Sequence, residues 1–198
     1  MNYHNKLLEI INSLTIRPKL LLHSCCGPCS TTVLTFLAPY FDIVVLYYNP
    51  NIEPIEEYEH RKSEQIRFIK ELNDSRITFL DCDYENEKFK NKTIGLEKEK
   101  EGGARCGVCF KLRLEKTAQI AKQQHFDYFG TTLTVSPHKN SQIINSIGAL
   151  LEKQFGVKYL YSDFKKKDGY KKSILLSKEY NLYRQDYCGC LFGRNLDD

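Results

Sequence analysis

The 198 residues carry 41% hydrophobic side chains and a formal charge of +4, which fits one folded domain spanning residues 1–198 and leaves no unbroken apolar run of membrane-spanning length. So mild a charge argues for nucleic acid only where it clusters, as it does at residues 165–172. The start, Met1-Asn2-Tyr3-His4-Asn5, has no basic-then-apolar secretory pattern, so a cytoplasmic, reducing location without a membrane is expected, with thiols free to ligate.

Residues 5–14 have helical spacing, Pro18 ends that segment, and Leu20-Leu21-Leu22-His23 suits a buried strand. A cysteine group follows, then a helix over 30–37 stopped by Pro39, then a continuous apolar strand over 43–48. Pro54 opens a long polar helix to about Leu72, with Ile66, Ile69 and Leu72 on one stripe, and 76–80 reads as a third strand. The lysine-rich stretch 85–103 ends in Gly102-Gly103 and suggests a mobile loop. Cys109 is expected to open the next helix, continued by Phe110, Leu114, Ala118 and Ala121, and strand character returns at 126–133. Residues 143–155 form the clearest amphipathic helix, and 157–161 suggests a last strand. Strands separated by helices predict an α/β fold: a mostly parallel sheet with helices on both faces and ligands outside the carboxyl ends of its strands.

Seven of the eight cysteines fall in three groups: Cys25, Cys26 and Cys29; Cys106 and Cys109; Cys188 and Cys190. They divide the segments 23–30, 104–110 and 186–192 among distant parts of the chain, and thiolates are the soft ligands of zinc, copper(I) and iron-sulfur clusters. Cys26-Gly27-Pro28-Cys29 alone matches the active-site tetrapeptide of thioredoxin-like dithiol oxidoreductases. A structural zinc site from Cys26, Cys29, Cys106 and Cys109 would make the chain a zinc-stabilised RNA-binding module, but it leaves three thiols idle. Seven thiolates match a four-ligand cluster plus a three-ligand metal with an open position. The first group precedes a helix, whose positive end should favour thiolate at Cys29. Neither a glycine-rich dinucleotide fingerprint nor a phosphate-binding loop is found, which disfavours an ATP-dependent transfer RNA thiolase. Cys82 reads as an ordinary core thiol.

Taken together, His23-Ser24-Cys25-Cys26-Gly27-Pro28-Cys29, Arg105-Cys106-Gly107-Val108-Cys109, Thr131-Thr132-Leu133 with Ser136-Pro137-His138-Lys139, and Tyr183-Arg184-Gln185-Asp186-Tyr187-Cys188-Gly189-Cys190 resemble the cobalamin-independent epoxyqueuosine reductases, the QueH family. The resemblance runs from about residue 19 to 193. It implies a sheet related to the nucleotide α-hydrolase-like (HUP) folds and reduction of the epoxide of epoxyqueuosine to queuosine at the wobble position of transfer RNA. It also implies a [4Fe-4S] cluster, a second mononuclear metal ion and an external low-potential electron donor. The second ion is expected to be iron, with zinc as an alternative occupant after purification. Many members carry aspartate where this chain has Cys29.

On this reading Cys26, Cys106, Cys109 and Cys188 are assigned to the cluster, and Cys25, Cys29 and Cys190 to the second metal, with Cys29 and Cys190 at the reacting centre. His138 is a candidate proton donor or phosphate contact, or else a cap for the helix that starts near 140. Asp163 and Asp186 are candidate proton relays. Lys165, Lys166, Lys167, Lys171 and Lys172, interleaved with Phe164 and Tyr170, suit an anticodon-loop surface. Arg184, Tyr183 and Tyr187 are expected to shape the pocket for the modified base.

Overall fold

The computed structural model describes residues 2–194. A parallel five-stranded sheet forms its centre, in the order β3-β2-β1-β4-β5. Its strands are β1 (Lys19–His23), β2 (Asp42–Leu46), β3 (Ile77–Leu80), β4 (Tyr128–Thr131) and β5 (Lys158–Tyr159). The helices between them are α1 (Tyr3–Asn12), α2 (Gly27–Leu37), α3 (Ile55–Leu72), α4 (Asn86–Lys92), α5 (Ala104–Gln123), α6 (Ser141–Phe155), α7 (Gly169–Glu179) and the short α8 (Leu191–Arg194).

The period-2 alternation of the strands sorts the core into two layers. Leu20 and Leu22 of β1, with Ile43 and Val45 of β2, face α1, α2 and α3 through Leu7, Leu34 and Phe68. Leu21 and Phe129 face the other way, onto Leu114 and Ala118 of α5 and Ile144 and Leu151 of α6. Both faces are covered, so the strands are nearly continuous apolar runs, as expected for a parallel sheet. No helix among the described residues is long and apolar enough to cross a membrane.

The strand order positions the site. From β1 the chain moves to β2 and β3 on one side, then crosses back to β4 and β5 on the other. Loops leaving β1 and β4 therefore diverge, and the crevice between them is where open α/β sheets bind ligands. His23 is level with Leu46 on one side and Thr131 on the other, so these three strands end together.

Three local expectations are corrected. α5 opens at Ala104 rather than Cys109. Its start lacks a Ser, Thr, Asp or Asn cap, and its first turn is held instead by Glu99, which accepts from Ala104 N at 3.0 Å, and by Arg105, which donates to Leu96 O and Glu97 O at 2.9 Å. Within 85–103, read as a loop, Phe89 is fully buried and anchors helix α4. The helix expected over 30–37 opens earlier, at Gly27, and Lys171 and Lys172 of the charge cluster belong to α7, which packs on α2. Lys167 and Asp168 take left-handed backbone before it, and a Cβ at Gly169 would run into the Phe164 carbonyl oxygen.

Phe129→Ala removes a fully buried ring that packs on Tyr159 at 5.1 Å between centroids. The expected loss is about 3–5 kcal/mol, read as a lower urea midpoint at unchanged slope; a loss below about 1 kcal/mol would contradict this packing.

Candidate metal centre

The end of β1 is pinned from both sides. Ser24 N donates to Leu46 O at 2.9 Å and Thr132 N donates to His23 O at 2.9 Å, so the chain stays in register until Cys25. Asn49 Nδ2 holds the Ser24 carbonyl at 2.8 Å, and the Ser24 hydroxyl donates to Gln65 at 2.7 Å. The backbone then turns into α2, with Cys26 as its N-cap residue and Pro28 in the first turn. A proline fits there because its missing N–H would have no helical partner. This turn brings the sulfurs of Cys25, Cys26 and Cys29 within 4.8 Å of one another.

His23 lies directly beneath. Its Nε2 faces the Tyr48 carbonyl at 3.1 Å, which only accepts, so Nε2 carries the proton and Nδ1 accepts from the Thr131 hydroxyl at 3.0 Å. Burial, aided by Arg113, pushes its pKa down to about 3, so the imidazole is a neutral brace.

Three close sulfurs do not ionise independently. Cys25 receives hydrogen bonds from Cys26 and Cys29, which hold its thiol well below the ordinary range. Cys26 is pushed up to about 12, first by its bond to Cys25, and Cys29 is raised for the same reason. The favouring of thiolate at Cys29 expected from the helix end is thus opposed by its sulfur neighbours, and the lowered thiol is that of Cys25. A soft cation that displaces thiol protons suits this donor set.

Cys106 and Cys109 lie one turn apart on the first turns of α5, which carries both toward the same place. Burial raises the Cys109 thiol to about 12, with the charges of Cys188, Cys190 and Cys106 adding to it. Cys106 Sγ accepts from Gly102 N at 3.2 Å.

The last group is delivered by a segment tied to α3. Arg61, 2% exposed, pairs with Glu57 at 2.6 Å and donates to the carbonyls of Tyr187 and Cys188 at 3.2 and 3.3 Å. Glu53 N donates to Gly189 O at 2.9 Å. Gly189 has φ 110 and sits against Ile52, where a Cβ would approach to 2.7 Å, so both the conformation and the space call for glycine. Gln185 Nε2 donates to Cys26 Sγ at 3.0 Å, joining this segment to the first group.

All eight cysteines are free. Cys25, Cys29, Cys106, Cys109, Cys188 and Cys190 line one pocket, and Cys26 is fully buried beside Cys25 and Cys29. His138 also lines it, and the capping role is corrected: Asn140 caps α6, accepting from Gln142 N and Ile143 N. The pocket includes Asn51, Arg105, Arg113, Lys139 and Gln185, which sequence reasoning gave no role. Burial opposes charge on Lys139, but Cys25, Cys29 and Cys188 outweigh it and hold the ammonium more firmly than usual. Nothing in residue spacing marks Arg61 or Gln185, whose partners are more than a hundred positions away.

Other candidates lie elsewhere. Asp186 is exposed and is not among the residues lining the pocket. Asp163 is buried, paired with Lys165 at 2.9 Å and bonded to Ser141. Lys166, Lys167 and Lys172 line a separate groove floored by Leu7, Phe36 and Phe164. Arg184 lies over Tyr170 at 5.6 Å. Tyr183 stacks on His60 and donates to Glu57, while Tyr187 donates to Glu53 O at 2.6 Å, so both fasten the last segment to α3 and its approach rather than line the pocket. Cys82 is half-buried beyond β3, away from the other seven.

A parallel α/β sheet with seven thiols gathered at its carboxyl edge defines a thiolate-rich protein able to hold metal. A family model described as "Epoxyqueuosine reductase QueH" matches residues 20–195. The epoxyqueuosine reductase QueH of Streptococcus pyogenes serotype M1 is 46% identical over 92% of this chain and 72% of its own length. The protein of that name from Staphylococcus epidermidis is 45% identical over 97% of this chain and 84% of its own, and that of Thermotoga maritima 37% identical over 87% and 88%. The chain belongs to the epoxyqueuosine reductase QueH family.

Arg61→Met leaves the Tyr187 and Cys188 carbonyls and Glu57 without their partner. It is expected to cost about 3 kcal/mol in denaturant unfolding and to lower the iron retained after anaerobic reconstitution. Wild-type stability and iron content would remove Arg61 as the anchor of the last cysteines.

Proposed function

We propose that the chain reduces the epoxide of epoxyqueuosine in transfer RNA to the alkene of queuosine. The observation that carries this is the meeting of three sequence-distant thiol groups in one pocket at the sheet's switch point, in a chain of the epoxyqueuosine reductase family. The conversion takes two electrons and two protons and expels the oxygen as water. When bound, a thiolate-held iron-sulfur cluster and a neighbouring metal ion supply single electrons and Lewis acidity.

The chain's own residues supply the rest. The triad of Cys25, Cys26 and Cys29 within 4.8 Å supports a three-thiolate site for the second ion, with Cys106, Cys109, Cys188 and Cys190 left for the cluster. This division follows spatial grouping: it moves Cys26 to the second ion and Cys190 to the cluster relative to the assignment made on the family resemblance, which split the first and last groups between the two centres. His138, exposed on the pocket lining, is placed to bring protons from solvent. Arg105, Arg113 and Lys139 make the pocket cationic, which suits both anionic centres and a negatively charged oxygen. Asp186 takes no step here.

The competing readings fit less well. A dithiol exchanger presents its first thiol to solvent, whereas Cys26 is fully buried. A zinc module needs four thiols, and seven converge. Cys190→Ser is expected to abolish the visible absorption of the reconstituted protein and its turnover of epoxyqueuosine-bearing transfer RNA with a low-potential reductant. Retained absorption with lost turnover would restore Cys25, Cys29 and Cys190 as the ligands of the second ion, and a colourless wild type after anaerobic iron-sulfide reconstitution would sink the reductase reading.

For the RNA, Lys166 and Lys167 are exposed in the loop after β5, close to the loop leaving β4 through Lys165 N to Thr134 O at 3.2 Å. They are proposed to bind anticodon-loop phosphates, with Lys171, Lys172 and Arg184 extending the surface and Lys165 committed to Asp163. Lys166→Glu with Lys167→Glu should weaken transfer RNA binding several-fold and reduce the slope of log affinity against log salt by about 1–2. Binding and slope equal to the wild type would take these two lysines out of the interface.

A further inference from the structure

We infer that Asn51 and Gln185 form a paired carboxamide subsite that accepts hydrogen bonds from the ring hydroxyls of the modified base; this rests on the proposed reduction of epoxyqueuosine. Asn51 lies in the loop that follows β2, between Pro50 and Ile52, and is 2% exposed. It lines the cysteine pocket, and its Oδ1 has no hydrogen-bond partner among the described residues. Gln185, from the segment that brings in the last cysteines, lines the same pocket. Its amide nitrogen is committed to Cys26 Sγ at 3.0 Å, which fixes the carboxamide, and its Oε1 is also buried without a partner.

A buried carbonyl oxygen left unpaired costs free energy, and Asn51 Oδ1 and Gln185 Oε1 belong to two side chains that line one pocket. Asn49, two residues before Asn51, donates to Ser24 O, and Asn86 donates to Pro50 O, so the loop itself is held by other side chains. Asn51 is thus not needed to fasten it. The buried unpaired atoms are both oxygens, so ligand groups that complete them present donors. The epoxide oxygen has none. The carbocycle that bears it carries two vicinal hydroxyl groups, one of them on a carbon next to the epoxide, and these supply donors close to the reacting bond. Holding them fixes the orientation of the ring in the pocket beside the sulfurs, to one of which Gln185 is itself bonded. A site that hydrogen-bonds substrate hydroxyls also rejects analogues lacking them, because its polar groups are then buried unpaired.

The test measures affinity rather than turnover. Metal-loaded protein, anaerobic and without reductant, is titrated with transfer RNA bearing epoxyqueuosine and with the same RNA bearing the epoxide ring without hydroxyls. The wild type is expected to prefer the hydroxylated ring about tenfold or more. Asn51→Leu, close in shape and without polar atoms, should bring the ratio close to one, keep its affinity for the hydroxyl-free RNA, and retain iron and thermal midpoint at or above the wild type. Asn51→Ala serves the same comparison if the leucine variant does not fold. A wild-type ratio near one, or an Asn51 variant that keeps the wild-type ratio, overturns the subsite. The reductase reading fails separately, as absence of conversion by the wild type once reductant is added.

Discussion

Buried sulfurs within 4.8 Å of one another cannot all be anionic unless a cation lies among them. Everything around the pocket is arranged about that electrostatic constraint. Without metal, the mutual hydrogen bonds of these sulfurs lower the Cys25 thiol and raise those of Cys26 and Cys29. Cationic side chains surround the sulfurs, with Arg113 anchored on the Cys109 carbonyl and Lys139 held as an ammonium by the thiols it faces. A parallel sheet suits this task, since its carboxyl edge is the place where loops from different strands converge while helices on both faces keep the strands rigid.

The framework around the sulfurs is polar as well as apolar. The core layer behind α5 and α6 includes Cys25, Cys26, Cys109 and Cys190 themselves, so packing that stabilises the fold also fixes four sulfurs. The segment carrying the last pair contributes little core of its own. It depends on Arg61, Glu53 N and Gln185, hydrogen bonds that bridge from α3, its approach and α2. Helices and sheet therefore set two thiol groups by hydrophobic burial, while the third adds to the burial of Cys190 a buried guanidinium with charge-assisted bonds to carbonyls.

Apolar runs were enough to read β1 to β4 to within a few residues, and the place of the first cysteine group at the carboxyl edge followed from its position after a strand. Elements without such a signal were missed for physical reasons. α4 and α7 are short, lysine-rich helices stabilised by one buried face each, through Phe89 in one and through Ser173 and Ser177 in the other. The start of α5 depends on Glu99 and Arg105 bonding backbone groups across a turn, a pattern with no cap residue to announce it. At the site, residue type picked out the thiols and His138, because only a few residue types bind metal or carry protons. It gave no access to Asn51, Arg61 or Gln185, whose roles exist only once the sheet has brought distant loops together. The charge cluster at 165–172 pointed to a surface but not to the pocket, which draws its cations from α5 and from the loop after β4.

The spread of the three thiol groups along the chain carries a consequence for biogenesis. Synthesis runs from the amino end, and a nascent chain that has emerged only past Cys109 offers the triad and one further pair, with Arg61 still waiting for the Tyr187 and Cys188 carbonyls. Such a partial set is open to any thiophilic ion that reaches it, zinc and copper included. Metal loading is thus a matter of timing: an ion trapped before the closing segment docks would be sealed in by the same contacts that later close the pocket.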